Sequence, residues 1–331
     1  MTVRLHGLFR STIKSGALEP LIQPFLRNKF GPEATKQDRL AGEKGRREIS
    51  AQTFEITRNG VEGDRQFMVI DKNGKLYTQN QNPAMAHLRA FVEDGRFHYQ
   101  FKNASVHGSR SFGSVGEGID LASLQDTQIV KYRQEEPFKA LVLPDRVNEE
   151  LSAFLTTAGL RLVMRAPNFE RDVSTHHGGK QRTLGGFQDQ DAISVVGLNT
   201  CEDVQCLRPN IVLSGLEPHE EDRIEILKIG DVVLKRSKPI VRCPMIDVDP
   251  QRGTYDKNNR HVTDHFKKSG RNLTFEKDRM RETGIFAANR FEVVTPGLIT
   301  RNSRIEITFN DDHGLRPRDV SPTGLSAQAP A

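Results

Sequence analysis

Apolar and polar residues follow one another in short runs along most of the chain, and the period of those runs is closer to two than to 3.6. Val3–Phe9 alternates and predicts a strand. Phe67–Asp71 and Lys75–Tyr77 flank Asn73-Gly74, a dipeptide suited to a tight turn between strands, so these runs predict a hairpin. Further short strands are expected at Phe97–Phe101 and Thr127–Tyr132. The period changes at 145–157. There Val147, Leu151, Phe154 and Leu155 recur at helical spacing, and Gly159 ends the run. A second strand-rich stretch extends from Ile193 to Ile307 and includes Asn210–Leu213, Val232–Lys235 and Ile305–Phe309.

Three segments break the pattern. Residues 17–57 hold a polar, charged insertion, with a helix expected at Leu18–Phe30. Residues 170–190 are rich in Gly, His, Gln and Arg and read as a loop; residues 251–284 are long, polar and basic. From Asp311 onward, Pro, Ser, Gly and Ala predict a disordered tail. The expected organisation is therefore a β-rich N-terminal part over residues 1–135, a helical connector and loop over 136–190, a second β-rich part over 191–310 and a tail over 311–331. No internal repeat is visible.

Composition narrows the class. The 331 residues are enough for two cores, and 36% hydrophobic content can fill them. The formal charge of +5 is scattered rather than gathered in a stripe, and no nucleic-acid-binding motif accompanies it, which argues for a basic pocket or a solvated surface over nucleic acid. Three cysteines do not make a disulfide framework, the first residues lack an apolar signal segment, and no stretch is long and apolar enough to span a bilayer. A cytoplasmic protein is expected.

Several side chains can carry chemistry. Cys243 lies in Lys238-Pro239-Ile240-Val241-Arg242-Cys243-Pro244. Arg242 beside it favours the thiolate, a soft ligand for a soft metal, while the plainer alternative is a small core residue. Cys201 and Cys206 have no second pair at zinc spacing and read as packing or exposed thiols. His176-His177-Gly178-Gly179-Lys180 suits either a metal or anion loop or a flexible polar one. Gly63-Asp64-Arg65 and Arg208-Pro209-Asn210 offer donors to a phosphate, or simply make surface turns.

The order of these motifs is more specific than any one of them. Arg208-Pro209-Asn210-Ile211-Val212-Leu213-Ser214-Gly215, then Glu221-Asp222 with Ile229-Gly230-Asp231-Val232, then Lys238-Pro239 to Cys243 with Val248-Asp249-Pro250, resemble the three spaced motifs of MOSC-domain proteins. Ile13-Lys14-Ser15, Gly63-Asp64-Arg65 and Thr78 to Pro83 resemble the N-terminal β-barrel domain that precedes them in the mitochondrial amidoxime-reducing component and its bacterial relatives. Ile193 to Val204 resembles the segment before the Arg-Pro-Asn strand.

The resemblance implies a mainly β fold with some α, an N-terminal β-barrel-like domain packed on a C-terminal MOSC β-barrel. It implies a molybdenum cofactor (Mo-molybdopterin) with Cys243 as the protein ligand to the metal. Arg242 and Asp249 are expected at the reacting centre. Lys14, Ser15, Arg65, Asn199, Thr200, Arg208 and Asn210 are expected to hold the pterin and its phosphate. The implied activity is reduction of N-hydroxylated small molecules, with electrons from a separate donor protein of ferredoxin, flavodoxin or cytochrome b5 type with its reductase. The domain family also includes sulfur-transfer proteins, which leaves open a persulfide on Cys243 or a cofactor-carrier role. The chain departs from the family pattern in places. Asn80 stands where an Arg is usual, Val241 where a Ser is frequent, and Phe286-Ala287-Ala288-Asn289 where Phe-Gly-x-Asn is usual.

Overall fold

The computed structural model describes residues 2–22, 53–101, 112–113, 118–133, 135–166, 171–173, 182–184, 186–188, 191–201, 203–255, 260–277 and 280–317. The expected His176–Lys180 loop and most of the 17–57 insertion lie outside these residues.

The fold is mainly β, as the alternating runs require. Its largest element is a ten-stranded sheet. The path runs Glu19–Ile22, Arg4–Arg10, Ile211–Ser214, Ile193–Gly197, Met280–Thr295, Val232–Val241, Ile224–Ile229, Ile305–Phe309, and Asn272–Lys277 with Leu315–Pro317 branch from the long strand Met280–Thr295. One face of this sheet buries Leu8, Val195, Ile211, Leu227, Leu234 and Phe291 in a single apolar cluster. Among the described residues no pairing joins the two ends of the path, so the sheet is open; the expected barrel closure is not seen.

The first strand is built into this C-terminal sheet. Arg4 faces Ser214 and Leu8 faces Ile211 in an antiparallel ladder. Glu19–Ile22 then folds back on it, where a helix was expected. Glu19 grips Arg10 through a two-point ion pair, and Pro20, which has no N–H to give, is tolerated because this strand lies at the sheet edge.

Ile13 and apolar residues between Phe67 and Met164 build a second core. Phe67–Ile70, Arg161–Met164, Phe138–Val142 and Thr127–Val130 form one sheet, and Leu88–Glu93 pairs with Arg96–Phe101 in another. The Asn73-Gly74 turn forms as expected. The Asp71 carboxylate accepts from Asn73 N and Lys75 N, and Gly74 sits at φ 75 with Ile129 O only 2.4 Å from where a Cβ would be. Its second arm forms no named strand and makes two isolated bridges, Ile70 to Leu76 and Lys75 to Lys131. The helix Asp145–Phe154 buries Val147 and Leu151 against Phe67 and Phe97, so it belongs to this core. Buried Asn148 fastens it there, donating to Leu143 O at 2.7 Å and accepting from Leu162 N at 2.8 Å.

A three-stranded ladder, in which Gly297–Ile299 pairs with Phe54–Thr57 and that with Gly60–Val61, adds Ile56, Val61 and Ile299 to the first core. The tail expected from Asp311 begins with the short strand Leu315–Pro317, held because Leu315 is buried with Phe275 and Phe286.

Candidate functional site

A cavity of ≈ 390 Å³ opens where the two cores meet. Seven of the residues expected from sequence line it: Lys14, Ser15, Arg65, Arg208, Asn210, Arg242 and Cys243. They come from four separate stretches of chain, and the local fold explains why each one reaches the cavity.

Lys14 and Ser15 occupy a tight turn. Gly16 N donates to Ile13 O at 2.8 Å, Ser15 takes φ 60, and Leu88 O lies 2.8 Å from where a Gly16 side chain would begin. The turn buries Lys14, whose ammonium donates to Phe187 O at 2.8 Å and lies 5.3 Å from the centre of the Tyr132 ring. Arg65 follows directly on Asp64 and pairs with its carboxylate. The other oxygen of Asp64 accepts from Ser11 N at 2.7 Å.

Arg208 ends the short 3-10 turn Val204–Leu207 in a left-handed conformation, φ 49. Its guanidinium donates to Ser11 Oγ at 2.7 Å. Burial, with Arg65 nearby, pushes its pKa down to about 10. Arg242 follows the bulged end of the strand Val232–Val241 and donates through Nε to Ala287 O at 2.8 Å. Burial is again the main reason its pKa falls to about 10, with Arg290 and Arg65 adding to the effect. Both guanidiniums stay charged at neutral pH. They and Arg65 influence one another in a half-buried region, which is an arrangement that favours an anion between them.

Cys243 is exposed and lines the cavity, starting the 3-10 turn Pro244–Asp247. Cys201 and Cys206 are buried in the apolar cluster beneath it. Burial and the Asp203 carboxylate push the Cys201 thiol up to about 12, and they push Cys206 up as well, so both stay protonated. The three cysteines are thus divided into two buried thiols, of which Cys206 forms part of the cavity wall, and one exposed thiol.

Asn210 lines the cavity, but its amide is spent on the backbone. It accepts from Ser194 N and Ser194 Oγ at 3.0 Å each and donates to Phe9 O at 3.3 Å. The structure does not bring Asn199, Thr200 or Asp249 to the cavity. Asn199 donates to Leu216 O, Thr200 donates to buried Glu221 at 2.6 Å, and Asp249 accepts from Gln251 N and Arg252 N to close a turn.

The structure adds residues to which the motifs assigned no role. Lys238, buried, pairs with Glu282 at 3.0 Å, and both line the cavity with Arg290 and Asp191. Ser11 ties three elements through one residue, its N–H to Asp64, its Oγ to Ile13 O and its Oγ lone pair to Arg208. A lone Ser in a loop carries no pattern, so nothing in the sequence could have marked it.

Among the described residues no group of three or more His, Cys, Asp or Glu side chains gathers to hold a metal by itself. A chelating cofactor would add ligands of its own to a metal held at Cys243. The residues fit such a group. Arg242 Nη2 is buried with no hydrogen-bond partner among the described residues, which is costly unless an acceptor is supplied. Lys14, Arg65, Arg208, Lys238 and Arg290 add cationic groups to the cavity wall, which also holds the carboxylates Asp191 and Glu282 and an apolar strip of Pro239, Ile240 and Val241.

With the geometry in place, comparison with known proteins defines the class. Residues 44–157 match the MOSC N-terminal beta barrel domain, and residues 174–306 match the MOSC domain. The chain is a MOSC-domain protein with an N-terminal MOSC β-barrel domain. It is 25% identical over 216 residues to mitochondrial amidoxime reducing component 2 of Rattus norvegicus, which covers 60% of this chain and 61% of that protein. It is 24% identical over 211 residues to the molybdenum cofactor sulfurase of Drosophila melanogaster, covering 61% of this chain, and 25% identical over 252 residues to that of Homo sapiens, covering 64%. The chain spans about a quarter of the length of those sulfurases, 25% and 26%. A solved structure, YiiM from Escherichia coli, overlaps 44% of this chain and 64% of its own at 12% identity with a TM-score of 0.25, a likeness too partial to define the fold. Among the described residues no helix is long and apolar enough to cross a membrane.

Proposed function

We propose that this protein binds a molybdenum–pterin cofactor through the Cys243 thiolate and reduces N-hydroxylated or related small nitrogen compounds. One observation carries the reading: the one exposed cysteine stands in a cavity that also holds Lys14, Arg65, Arg208 and Arg242. A soft thiolate suits the metal, and guanidinium and ammonium donors suit a phosphorylated pterin. Similarity to a protein named amidoxime reducing component supports the same reading.

Bound there, the cofactor supplies the two-electron chemistry that removes oxygen from an N–OH group. The protein's own contributions are binding and electrostatics. Arg65 and Arg208 oppose the charge of the phosphate, Lys14 adds an ammonium held against Phe187 O, and Arg242 offers its buried Nη2 as a donor. The three cysteines cannot assemble a ferredoxin-type cluster, so electrons reach the site from a donor outside this chain, and a basic protein of net charge +5 suits an acidic one.

A second reading is sulfur transfer. The same exposure that lets Cys243 ligate a metal would let it carry a persulfide, and sulfurases are among the relatives. The test is to purify the protein from a molybdenum-replete host and quantify metal and pterin per chain, with Cys243→Ala alongside. Molybdenum and pterin in the wild type and their loss in the variant support ligation. Absence of both from the wild type, with one extra sulfur atom on Cys243 by mass spectrometry, replaces the first reading by the second. Turnover of N-hydroxylated compounds with a reduced dye then tests the activity.

A further inference from the structure

The basic stretch after Pro250 contains a helix, His261–Lys268, with no role in the reading above. Its first turn is docked on the turn that carries Cys243. Asp247, whose side chain is fully buried, accepts from Thr263 N at 2.9 Å through Oδ1 and from Thr263 Oγ at 2.5 Å through Oδ2. Arg260 adds an ion pair to Asp247 at 3.5 Å. On the helix's inner face, Val262 and Phe266 are buried in one cluster with Ile246, Ala287 and Ala288.

The segment bearing the thiol is thereby fixed at both ends. On one side Arg242 N donates to Ile285 O and Arg242 Nε to Ala287 O, each at 2.8 Å. On the other, Asp247 is held by the helix. Between these anchors the chain makes a short 3-10 turn, with Ile246 N donating to Cys243 O at 3.3 Å and Val248 N donating to Met245 O. Cys243 stands at the head of that turn, so the place of its side chain follows from the anchors on either side. A residue at the cavity surface cannot be immobilised by packing, since Cys243 is exposed.

We infer that the Asp247–Thr263 pair is a positioning clamp that sets the Cys243 thiol at the cavity. Asp247 acts through the backbone it anchors and has no contact with the thiol to make. The inference rests on Cys243 being the metal ligand, and it gives the 251–284 segment a purpose: it supplies the helix that closes the clamp. Outer partners that orient a metal ligand commonly govern affinity for the metal as strongly as the ligand's own neighbours do.

The test uses the full chain purified from a molybdenum-replete host. Thr263→Val removes the hydroxyl and keeps the shape and the N–H. Thr263→Ser keeps the hydroxyl. Asp247→Asn keeps an acceptor and removes the charge. Circular dichroism and thermal unfolding verify folding, and molybdenum per chain is measured for each. In parallel, the rate of Cys243 alkylation by iodoacetamide is followed against pH, with Cys243→Ala giving the background. The expected result is that Thr263→Val and Asp247→Asn, while folded, lose about tenfold or more in molybdenum retention. Their Cys243 alkylation profile should move away from wild type, and Thr263→Ser should restore both. A folded Thr263→Val variant with wild-type metal content and a wild-type alkylation profile overturns the clamp. If Asp247→Asn does not fold, the two Thr263 variants decide the matter. If the wild type itself contains no molybdenum, the proposed function fails, while the alkylation profile still decides whether Thr263 positions the thiol.

Discussion

Arg208 donates to Ser11 Oγ at 2.7 Å, across 197 positions of sequence. This bond joins the start of the chain to the Arg-Pro-Asn strand and orients a guanidinium whose other edges face the cavity region. Arg208→Lys keeps the charge and loses the planar fork. It should leave the fold intact and lower retention of a phosphorylated pterin by about tenfold, equal to roughly 1.4 kcal/mol. Pterin released by denaturation, measured by fluorescence after oxidation, checks this. Pterin content equal to wild type would show that Arg208 only braces Ser11.

Asn210 should matter more to stability than to binding. Its side chain satisfies Ser194 N, Ser194 Oγ and Phe9 O at the seam between three strands. Asn210→Ala leaves these buried groups unpaired, at a cost of about 2–4 kcal/mol. Urea unfolding should show a lower midpoint at unchanged slope. A midpoint within error of wild type would mean that water replaces the amide.

Cys243 should be dispensable for folding. As an exposed residue it should change unfolding free energy by less than about 0.5 kcal/mol on replacement by Ser. Brief alkylation of the native protein should modify this thiol alone, because Cys201 and Cys206 are buried and held protonated. Modification of all three at one rate would contradict the division described above.

Glu221 makes stability depend on pH. It is buried beside Asp222, and burial first, then the neighbouring carboxylate, raises its pKa from 4.5 to about 7. In the unfolded chain the group ionises near its ordinary value. As pH rises from about 4.5 to about 7, the unfolded state gives up a proton that the folded state retains, so this group's contribution to stability falls and then levels off. Glu221→Gln should flatten that part of the profile and raise stability at alkaline pH relative to wild type. Melting temperatures across the range provide the check, and parallel profiles for the two proteins would assign the dependence elsewhere.

How much of this was legible beforehand depended on how local the cause is. Strands such as Phe97–Phe101 and the helix containing Val147 and Leu151 are written in alternation and helical spacing, and those were readable. That Arg242, Cys243 and Arg208 share one cavity was readable because three motifs occur in order. The edge strand Glu19–Ile22 was not, because a charged stretch becomes a strand only when Arg10 is there to pair with Glu19. Asn199, Thr200 and Asp249 illustrate a different limit. Each lies close in sequence to residues that do line the cavity, but spacing does not reveal whether a polar side chain spends its hydrogen bonds on backbone, on a buried carboxylate or on a ligand. Sheet closure depends on strands far apart in sequence, so local patterning is silent on it.

The pairing of Arg4 with Ser214 has a consequence for synthesis. The first strand leaves the ribosome long before its partner exists, and contacts between distant parts of a chain form slowly. Phe54–Thr57 waits longer still, for Gly297–Ile299. The nascent chain must therefore carry unpaired strand edges through most of translation. The compact core around Phe67, Phe97 and Leu151 is made, apart from Ile13, from residues in between and is free to assemble first. Folding should then finish from the inside outward, with the strand made earliest among the last to be docked, and cleavage between the two matched family segments should yield fragments that rejoin rather than two independent proteins.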